Sequence, residues 1–382
     1  MGRSCLPTPI WIVLGAPEME TMRIVEANPF FYPFQGGIEH RMHMTSKLFA
    51  KRGHDVTILT SRLPGTKEVE ETEYGYRIVR VPSRFINIYN PPYVISKNVL
   101  ETLNGLDADI VNYNYRWAPS FDKDISHYEG KKVFTYHNMW GEGVGLTGMV
   151  SEINDNHYRK RLMRYDHIVA ITDCVRDDLV RRGVPEDMIT VISNCLETFP
   201  ELSDEEGEFI LNLGRMVSTK GLNYLVEAMR DVDYKLIMCG KGPESKKISK
   251  LIRKYGLEDR IEMKGWVSEE EKLRLMSTCK FFVMPSIYEA YGLAALEALS
   301  YGKPIVCTDV DGLPGNVKNA GSYVKPKDSK GLAKAINDLL ENDDERKRLS
   351  DNALRVVHEF TWDDQIAKTE KLYRSIVDGD DN

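Results

Sequence analysis

Paired cysteines are missing from this sequence. Cys5, Cys174, Cys195, Cys239, Cys279 and Cys307 lie far apart with no C-x-x-C among them. That argues against a disulfide frame or a zinc site and for reduced thiols in a cytoplasmic protein. A surplus of positive charge is missing too: 51 basic against 58 acidic residues leave a net charge of −7, the wrong balance for a nucleic-acid binder. No apolar run approaches the roughly 20 residues that a membrane-spanning helix needs. PIWIVLGAP (Pro9 to Pro17) is apolar but short, with one arginine before it. It reads either as a poor signal peptide or as part of a weakly ordered leader, or upstream start, over residues 1–21. The leader is preferred, because MRIVEANPFFYPFQGG from Met22 is already a complete first strand and loop. There is no internal repeat and no low-complexity tract.

What is present is alternation. MRIVEA, DVTILTS, YRIVRVPS, ADIVNYNY, KKVFTYHN, HIVAITD and MITVISN are short β-rich runs. Between them lie GGIEHRMHMTSKLFAKRGH with helical spacing, a helical stretch near Ile153 to Tyr165, and CVRDDLVRRGV, which ends at Gly183. Strands alternating with helices predict right-handed βαβ units and a parallel sheet. ETFPELSDEEGE reads as a linker. The alternation then restarts with FILNLGRM, YKLIMCGKGP, RIEMKGWV, KFFVMPS and PIVCTDV, and three helical segments close the chain. A length of 382 residues fits two such domains. The expectation is an α/β protein with two doubly wound, Rossmann-like domains, residues 22–198 and 199–360, facing each other across a cleft. Ligands would bind there, at the carboxyl ends of the strands.

Chemistry concentrates around YEAYGLAALEALSYG (residues 288–302), an apolar helical segment that carries Glu289 and Glu297. Gly292 at the helix start lets a ligand approach the backbone, and free amides with the helix dipole make an anion site there. LGRMVSTKG ends another strand with Arg215 and Lys220, a guanidinium and an ammonium suited to a diphosphate. Taken alone, both read more readily as surface charges, the usual fate of such residues. A carboxylate accepts two hydrogen bonds side by side, which suits vicinal sugar hydroxyls. A sugar nucleotide could therefore lie across the helix start, its diphosphate on the amides, its ribose on Glu297 and its sugar on Glu289. A buried salt bridge or a solvent-facing pair is the plainer alternative for the glutamates. A dinucleotide-binding oxidoreductase is disfavoured, because Gly36-Gly37 is not followed by the third glycine of that fingerprint.

The E-x7-E spacing in PSIYEAYGLAALEAL resembles the signature of retaining GT-B glycosyltransferases of family 4. QGGIEHRMHMTSKLFAKRGHDVTILT, VAITDCVRDDLVRRGVPEDMITVISNCLE, LGRMVSTKG, MCGKGP, GWVSEEE, CTDVDGLPG and FTWDDQIAKTEKLY resemble further segments of that family, in order from Met22 to the end. The resemblance implies a GT-B fold whose last helix, within 361–382, crosses back to the N-terminal domain. It implies that the Gly36-Gly37 loop faces the donor phosphates or the catalytic centre. Arg215 and Lys220 would balance the departing diphosphate, to which Gly292 and Leu293 would offer amides, with Ala290 and Tyr291 in the same loop. Glu297 would hold the ribose and Glu289 the donor sugar. His137 would be the cleft histidine near the transferred sugar. Gly240 and Gly242 would floor the nucleobase site, Trp266 and Val267 would wall it, and Asn194 at the hinge would complete the substrate-binding set.

The implied activity is retaining, metal-independent hexosyl transfer from a nucleoside-diphosphate sugar to a glycan, lipid-linked or small-molecule acceptor. The donor is a substrate, and no cofactor is expected. No carboxylate pair is placed as in glycosidases, so the leaving group would be stabilised electrostatically. Asp107/Asp109 and Asp231/Asp233 lead into strands. Asp309/Asp311 follows one and could hold a metal, although the family uses this loop without one. Three positions depart from the family pattern: Ala290 for a usual glycine, Cys195-Leu196-Glu197 at the hinge, and Pro314-Gly315 in the late loop. The acceptor half is less legible. NMWGEGVGLTG (Asn138 to Gly148) would shape the acceptor site. RFINIYNPPYVI would touch a lipid or a bilayer or, preferably, pack under a neighbouring helix. Basic residues in Glu39 to His54 and His157 to Tyr165 would meet anionic headgroups or water. A cytoplasmic protein, with peripheral contact at the inner face of the membrane, follows as an expectation. The competing readings are an inactive GT-B scaffold and a nucleotide-sugar epimerase.

Overall fold

The computed structural model describes residues 20–86, 92–138, 146–196, 200–203 and 205–379. The first half contributes β1 (Arg23–Ala27), β2 (Asp55–Ser61), β3 (Val69–Glu71), β4 (Arg77–Val81), β5 (Ser83–Ile86), β6 (Tyr93–Ser96), β7 (Ile110–Tyr113), β8 (Lys132–Tyr136), β9 (His167–Ala170) and β10 (Ile189–Val191). Eight of these form one sheet in the order β10-β9-β8-β7-β1-β2-β4-β3. All its pairings are parallel except that of β3, which runs antiparallel to β4 at the edge. The second half contributes β11 (Ile210–Leu213), β12 (Leu236–Cys239), β13 (Ile261–Gly265), β14 (Phe282–Met284), β15 (Ile305–Thr308) and β16 (Gly321–Val324). They form a parallel sheet in the order β13-β12-β11-β14-β15-β16.

These strands are continuous apolar runs because helices cover both faces; β7, β12 and β15 are buried at every position. The helices carry apolar residues at helical spacing toward the sheets, as Met42 and Phe49 do on the helix Gly37–Lys51. Four of them start on side-chain caps, at Thr172, Ser268, Asp328 and Asn342; the Thr172 hydroxyl accepts from the Val175 amide at 3.2 Å and that of Ser268 from Glu271 at 3.2 Å. Strand order reverses at β1, between β2 and β7, and at β11, between β12 and β14. Crevices open outside the carboxyl ends of strands at such points.

The structure adds elements that local pattern did not reveal. Residues read as an irregular aromatic segment form an antiparallel hairpin of β5 and β6, with Arg84 opposite Ile95 and Ile86 opposite Tyr93. Its outward side chains Ile86, Tyr93 and Ile95 are exposed rather than packed under a helix; residues 87–91 lie outside the described residues. The edge strand β16 also went unread, because GSYV is short and abuts a turn, and only pairing with β15 makes it a strand. The leader, apart from its last two residues, and most of the Asn138–Gly148 loop lie outside the described residues.

The chain crosses between domains twice, side by side. The Leu196 amide donates to Phe360 O at 3.4 Å, and the Cys195 thiol lies 3.2 Å from Thr361 O. The helix Trp362–Asp378 then lies against the N-terminal domain. There Glu370 accepts from Arg52 at 2.9 Å and contacts His54 Nε2 at 3.2 Å. Tyr373, 1% exposed, stacks on Phe49 with centroids 5.7 Å apart and reaches Glu26 with its hydroxyl at 3.4 Å. Tyr373→Ala should lower the stability of the N-terminal domain by roughly 3–5 kcal/mol in urea denaturation, as buried aromatic truncations do. The exposed neighbour Lys371→Ala should change little. Equal effects of the two would mean that this helix does not hold the domain together.

Candidate active site

On the C-terminal side the floor is backbone. The loops after β11, β12 and β13 are tied by Gly214 N to Cys239 O at 3.0 Å, Met216 N to Lys241 O at 3.0 Å and Gly240 N to Gly265 O at 2.7 Å. Gly240 has φ +128, and a Cβ there would sit 1.9 Å from Gly214 O; at Gly242 it would sit 2.2 Å from Met216 O. Any side chain at either position would push these loops apart. Trp266 stands at the end of β13 with 78% of its surface exposed, while Val267 packs on the core.

Lys220 ends a short turn, Ser218–Lys220, clamped to the end of β14 because Ile287 donates to Thr219 O at 2.7 Å. This clamp brings the Lys220 ammonium onto the Glu289 carboxylate. The Ser286 hydroxyl lies 3.4 Å from the same carboxylate oxygen. Arg215 and Lys220 line one narrow recess with Gly214, Pro285 and Ser286. The loop carrying Glu289 is held through its backbone: its amide donates to Asp311 Oδ2 at 2.9 Å, and its carbonyl accepts from Gly312 at 3.0 Å. Asp311 therefore acts as a clasp for the glutamate loop.

The helix Leu293–Ser300 starts at Gly292, whose φ of +86 turns the chain into it. Among the described residues nothing accepts from the Gly292, Leu293 and Ala294 amides, so the anion site predicted there has donors available. Glu297, in the second turn, is half-exposed and lies 3.5 Å from Lys272 Nζ. Tyr291 turns inward: its ring is buried and its hydroxyl donates to Asn194 O. Ala290 is also buried. The Asn194 side chain is occupied as well, accepting from Arg41 Nη1 at 2.6 Å. The side chains of Tyr291 and Asn194 thus join the domains.

On the N-terminal side, His137 follows β8 and its Nε2 lies 3.0 Å from Asn114 Oδ1. Asn114 and Asn112 each donate to Glu26 Oε2 at 2.9 Å, and Thr135 donates to Asn112 at 2.8 Å. With its amide nitrogen turned to Glu26, Asn114 presents oxygen to the histidine, so Nε2 carries the proton and Nδ1 is the acceptor. Burial, aided by Arg41 and Arg116, holds His137 well below the usual histidine range. It is therefore a neutral imidazole at pH 7. Burial likewise pushes Glu26 up to about 7 and Glu39 up to about 7. Glu39 lies in the first turn after Gly36, where a Cβ would come within 2.5 Å of its carboxylate. At Gly37 a Cβ would lie 3.6 Å from Leu293 Cδ1. The glycine loop and the start of helix Leu293–Ser300 therefore meet across the cleft.

Arg215, Lys220 and Glu289 form one cluster, and Gly37 and Leu293 one interdomain contact. Sequence reasoning missed Glu26, Glu39, Arg41 and Asn114. Glu26 and Asn114 could have been noticed as polar residues in or directly after apolar strands. Asp107 and Asp109 pair with Arg23, which accounts for that D-x-D without a ligand.

With this geometry in view, comparison with known proteins gives a consistent result. Residues 196–356 match the family described as glycosyl transferases group 1, and residues 35–198 match glycosyltransferase family 4. An uncharacterized glycosyltransferase of Methanocaldococcus jannaschii is 25% identical, covering 91% of this chain and 97% of its own. The gpi3 subunit of phosphatidylinositol N-acetylglucosaminyltransferase from Schizosaccharomyces pombe is 24% identical, covering 91% and 79%. Sucrose-phosphate synthase of Thermosynechococcus elongatus superposes with a TM-score of 0.77 at 20% identity, covering 94% of this chain and 100% of that one. Anabaena HepE in complex with UDP gives 0.72 at 16% identity, covering 93% and 100%. Two facing sheets, parallel but for the edge strand β3, and the superposition on sucrose-phosphate synthase show a GT-B fold. The chain belongs to the group 1 glycosyltransferases.

The raised Glu26 carboxyl has a pH consequence. A carboxyl at about 7 in the fold against 4.5 in the open chain stabilises the fold below pH 4.5 and loses that contribution as pH rises through 7. Glu26→Gln keeps an acceptor for both asparagines and removes the titration. Its stability relative to wild type should rise between pH 5 and pH 8, by on the order of 3 kcal/mol. Thermal midpoints measured across that range check this; parallel curves would refute it.

Proposed function

We propose that this glycosyltransferase moves a hexose from a nucleoside-diphosphate sugar with retention of configuration and without a metal ion. One observation carries the reading: Arg215, Lys220 and Glu289 converge at the ends of β11 and β14, beside a helix start with open amides. The diphosphate takes the amides of Gly292 and Leu293 and the charge of Arg215 and Lys220. The sugar takes Glu289, releasing Lys220 toward the phosphate. Glu297 and the exposed Trp266 face the nucleoside. The bond from the anomeric carbon to the phosphate oxygen breaks, the acceptor oxygen bonds that carbon on the same face, and the acceptor proton leaves with the phosphate. Cations and amides placed where charge develops supply the catalysis, and the neutral His137 contributes a hydrogen bond. The UDP bound by HepE supports a uridine diphosphate donor.

For the acceptor we favour a lipid-linked glycan at the inner face of the membrane. The related gpi3 subunit of phosphatidylinositol N-acetylglucosaminyltransferase supports a lipid by its name. The surface supports it too. Met149 and Ile153 are 61% and 69% exposed, one turn apart on the helix Leu146–Leu162. Ile86, Tyr93 and Ile95 are exposed on the β5–β6 hairpin, with Arg84 and Lys97 beside them. Exposed apolar side chains edged by cations suit an anionic bilayer. No helix among the described residues is long and apolar enough to cross one.

Thermal stabilisation by UDP, GDP and ADP tests the donor site. A nucleotide in ~100-fold excess over its Kd should stabilise wild type by about 2.7 kcal/mol. Arg215→Ala should lose most of this, and Glu289→Ala should keep binding while losing transfer. Unchanged binding by Arg215→Ala refutes the phosphate assignment. Nucleotide binding without transfer to any acceptor would favour the inactive-scaffold reading. Sedimentation with vesicles tests the surface: phosphatidylcholine with phosphatidylglycerol should carry the protein down, phosphatidylcholine alone less. Ile153→Glu should release it; unaltered sedimentation of that variant removes this surface from consideration.

A further inference from the structure

The domains of a two-sheet enzyme must be held in register, and here one hinge residue is gripped from both sides. Arg41 lies in the second turn of the helix Gly37–Lys51, whose first residue faces Leu293 across the cleft. Its Nη1 reaches the hinge, 2.6 Å from Asn194 Oδ1, 3.2 Å from Ser193 O and 3.4 Å from Ile192 O. From the other side, the Tyr291 hydroxyl donates to the backbone oxygen of the same Asn194. The Asn316 amide in turn donates to Tyr291 O. Arg41, Asn194, Tyr291 and Asn316 are all buried. Tyr291 lies between Glu289 and Gly292 in sequence, so any shift of its ring moves the donor loop. Arg41 is also close enough to Glu26 and His137 to bias their ionisation.

We propose that Arg41 is a positioning residue that sets the donor loop, residues 289–292, against His137 on the opposite side of the cleft, with Asn194 as the shared bridge. The proposal rests on the cleft being the donor site. A guanidinium suits the task because its planar donors can satisfy several carbonyls at once, which an ammonium on a flexible stem does less well. A buried cation held by hinge carbonyls also resists sliding, since each lost acceptor leaves an unsatisfied buried donor.

The test uses Arg41→Ala, Arg41→Lys, Tyr291→Phe and the Arg41→Ala/Tyr291→Phe pair. Displacing reacting groups by about 1 Å costs on the order of 10²-fold in rate. Arg41→Ala should therefore lower kcat by about that factor, while the Kd for UDP, measured by calorimetry on the same preparation, changes less than about threefold. Arg41→Lys should recover part of the rate. The double variant should be no slower than the slower single variant, because both act through Asn194. Wild-type kcat in Arg41→Ala, or multiplicative effects in the double variant, would overturn the proposal. So would a parallel loss of UDP affinity. If Arg41→Ala fails to fold, Tyr291→Phe, which removes a single oxygen, decides alone. If the wild type neither binds UDP nor transfers, the donor-site reading has failed. Small-angle scattering of the nucleotide-free proteins then judges the latch separately: Arg41→Ala and Tyr291→Phe should broaden the interdomain distance distribution, and unchanged profiles would end it.

Discussion

The double crossing of the chain at residues 192–196 and 360–361 is the constraint on which the cleft depends. Each sheet alone ends in a crevice with half of a site. The pairing of Leu196 with Phe360 and the docking of helix Trp362–Asp378 on the first domain turn the two crevices toward each other. Tyr373 between Phe49 and Glu26 gives that docking its apolar weight, and Glu370 between Arg52 and His54 gives it direction. The apolar core runs without a break through Leu196, Phe360 and Tyr291 from one domain to the other. Relative motion of the domains therefore has to work against buried contacts as well as against two strands of backbone.

Given that frame, the site is built chiefly from backbone. Glycines at 240 and 242 let successive loops lie back to back, and Gly292 turns the chain into a helix whose first amides have no acceptor among the described residues. Side chains with a chemical part are few, and each is fixed by a neighbour rather than by its own stretch of chain. Lys220 meets Glu289 because Thr219 accepts from Ile287, and Asn114 decides which nitrogen of His137 carries the proton. On the proposed function, negative charge developing in such a cleft would meet donors that are already oriented, the condition for electrostatic catalysis.

Much of this was legible from pattern because a parallel sheet writes itself as short apolar runs between helices. The alternation named both domains, and Gly292, Glu289, Arg215 and Lys220 stood out as chemistry at strand ends. Other features were illegible for definable reasons. The hairpin of β5 and β6 and the edge strand β16 depend on pairing with a partner strand, which short segments do not announce. Arg41 sits in a helix rich in polar residues, where a buried arginine looks like any surface one. Tyr291 and Asn194 fall within motif segments, yet both side chains are buried and held by partners far away in the chain.

The amino-acid sequence by itself determined the α/β class, the two domains, the glycine at the start of helix Leu293–Ser300 and the identity of the charged residues near it. Periodicity, glycine placement and charge are local properties, so they can be read without a structure. Only the tertiary structure decided that Lys220 pairs with Glu289, that His137 is neutral, that Glu26 and Glu39 are buried, and that Asn194 is held by Arg41 and Tyr291 together. Each of those depends on groups far apart in the chain being brought together and taken out of water, and burial and long-range hydrogen bonds have no signature in a local stretch of sequence.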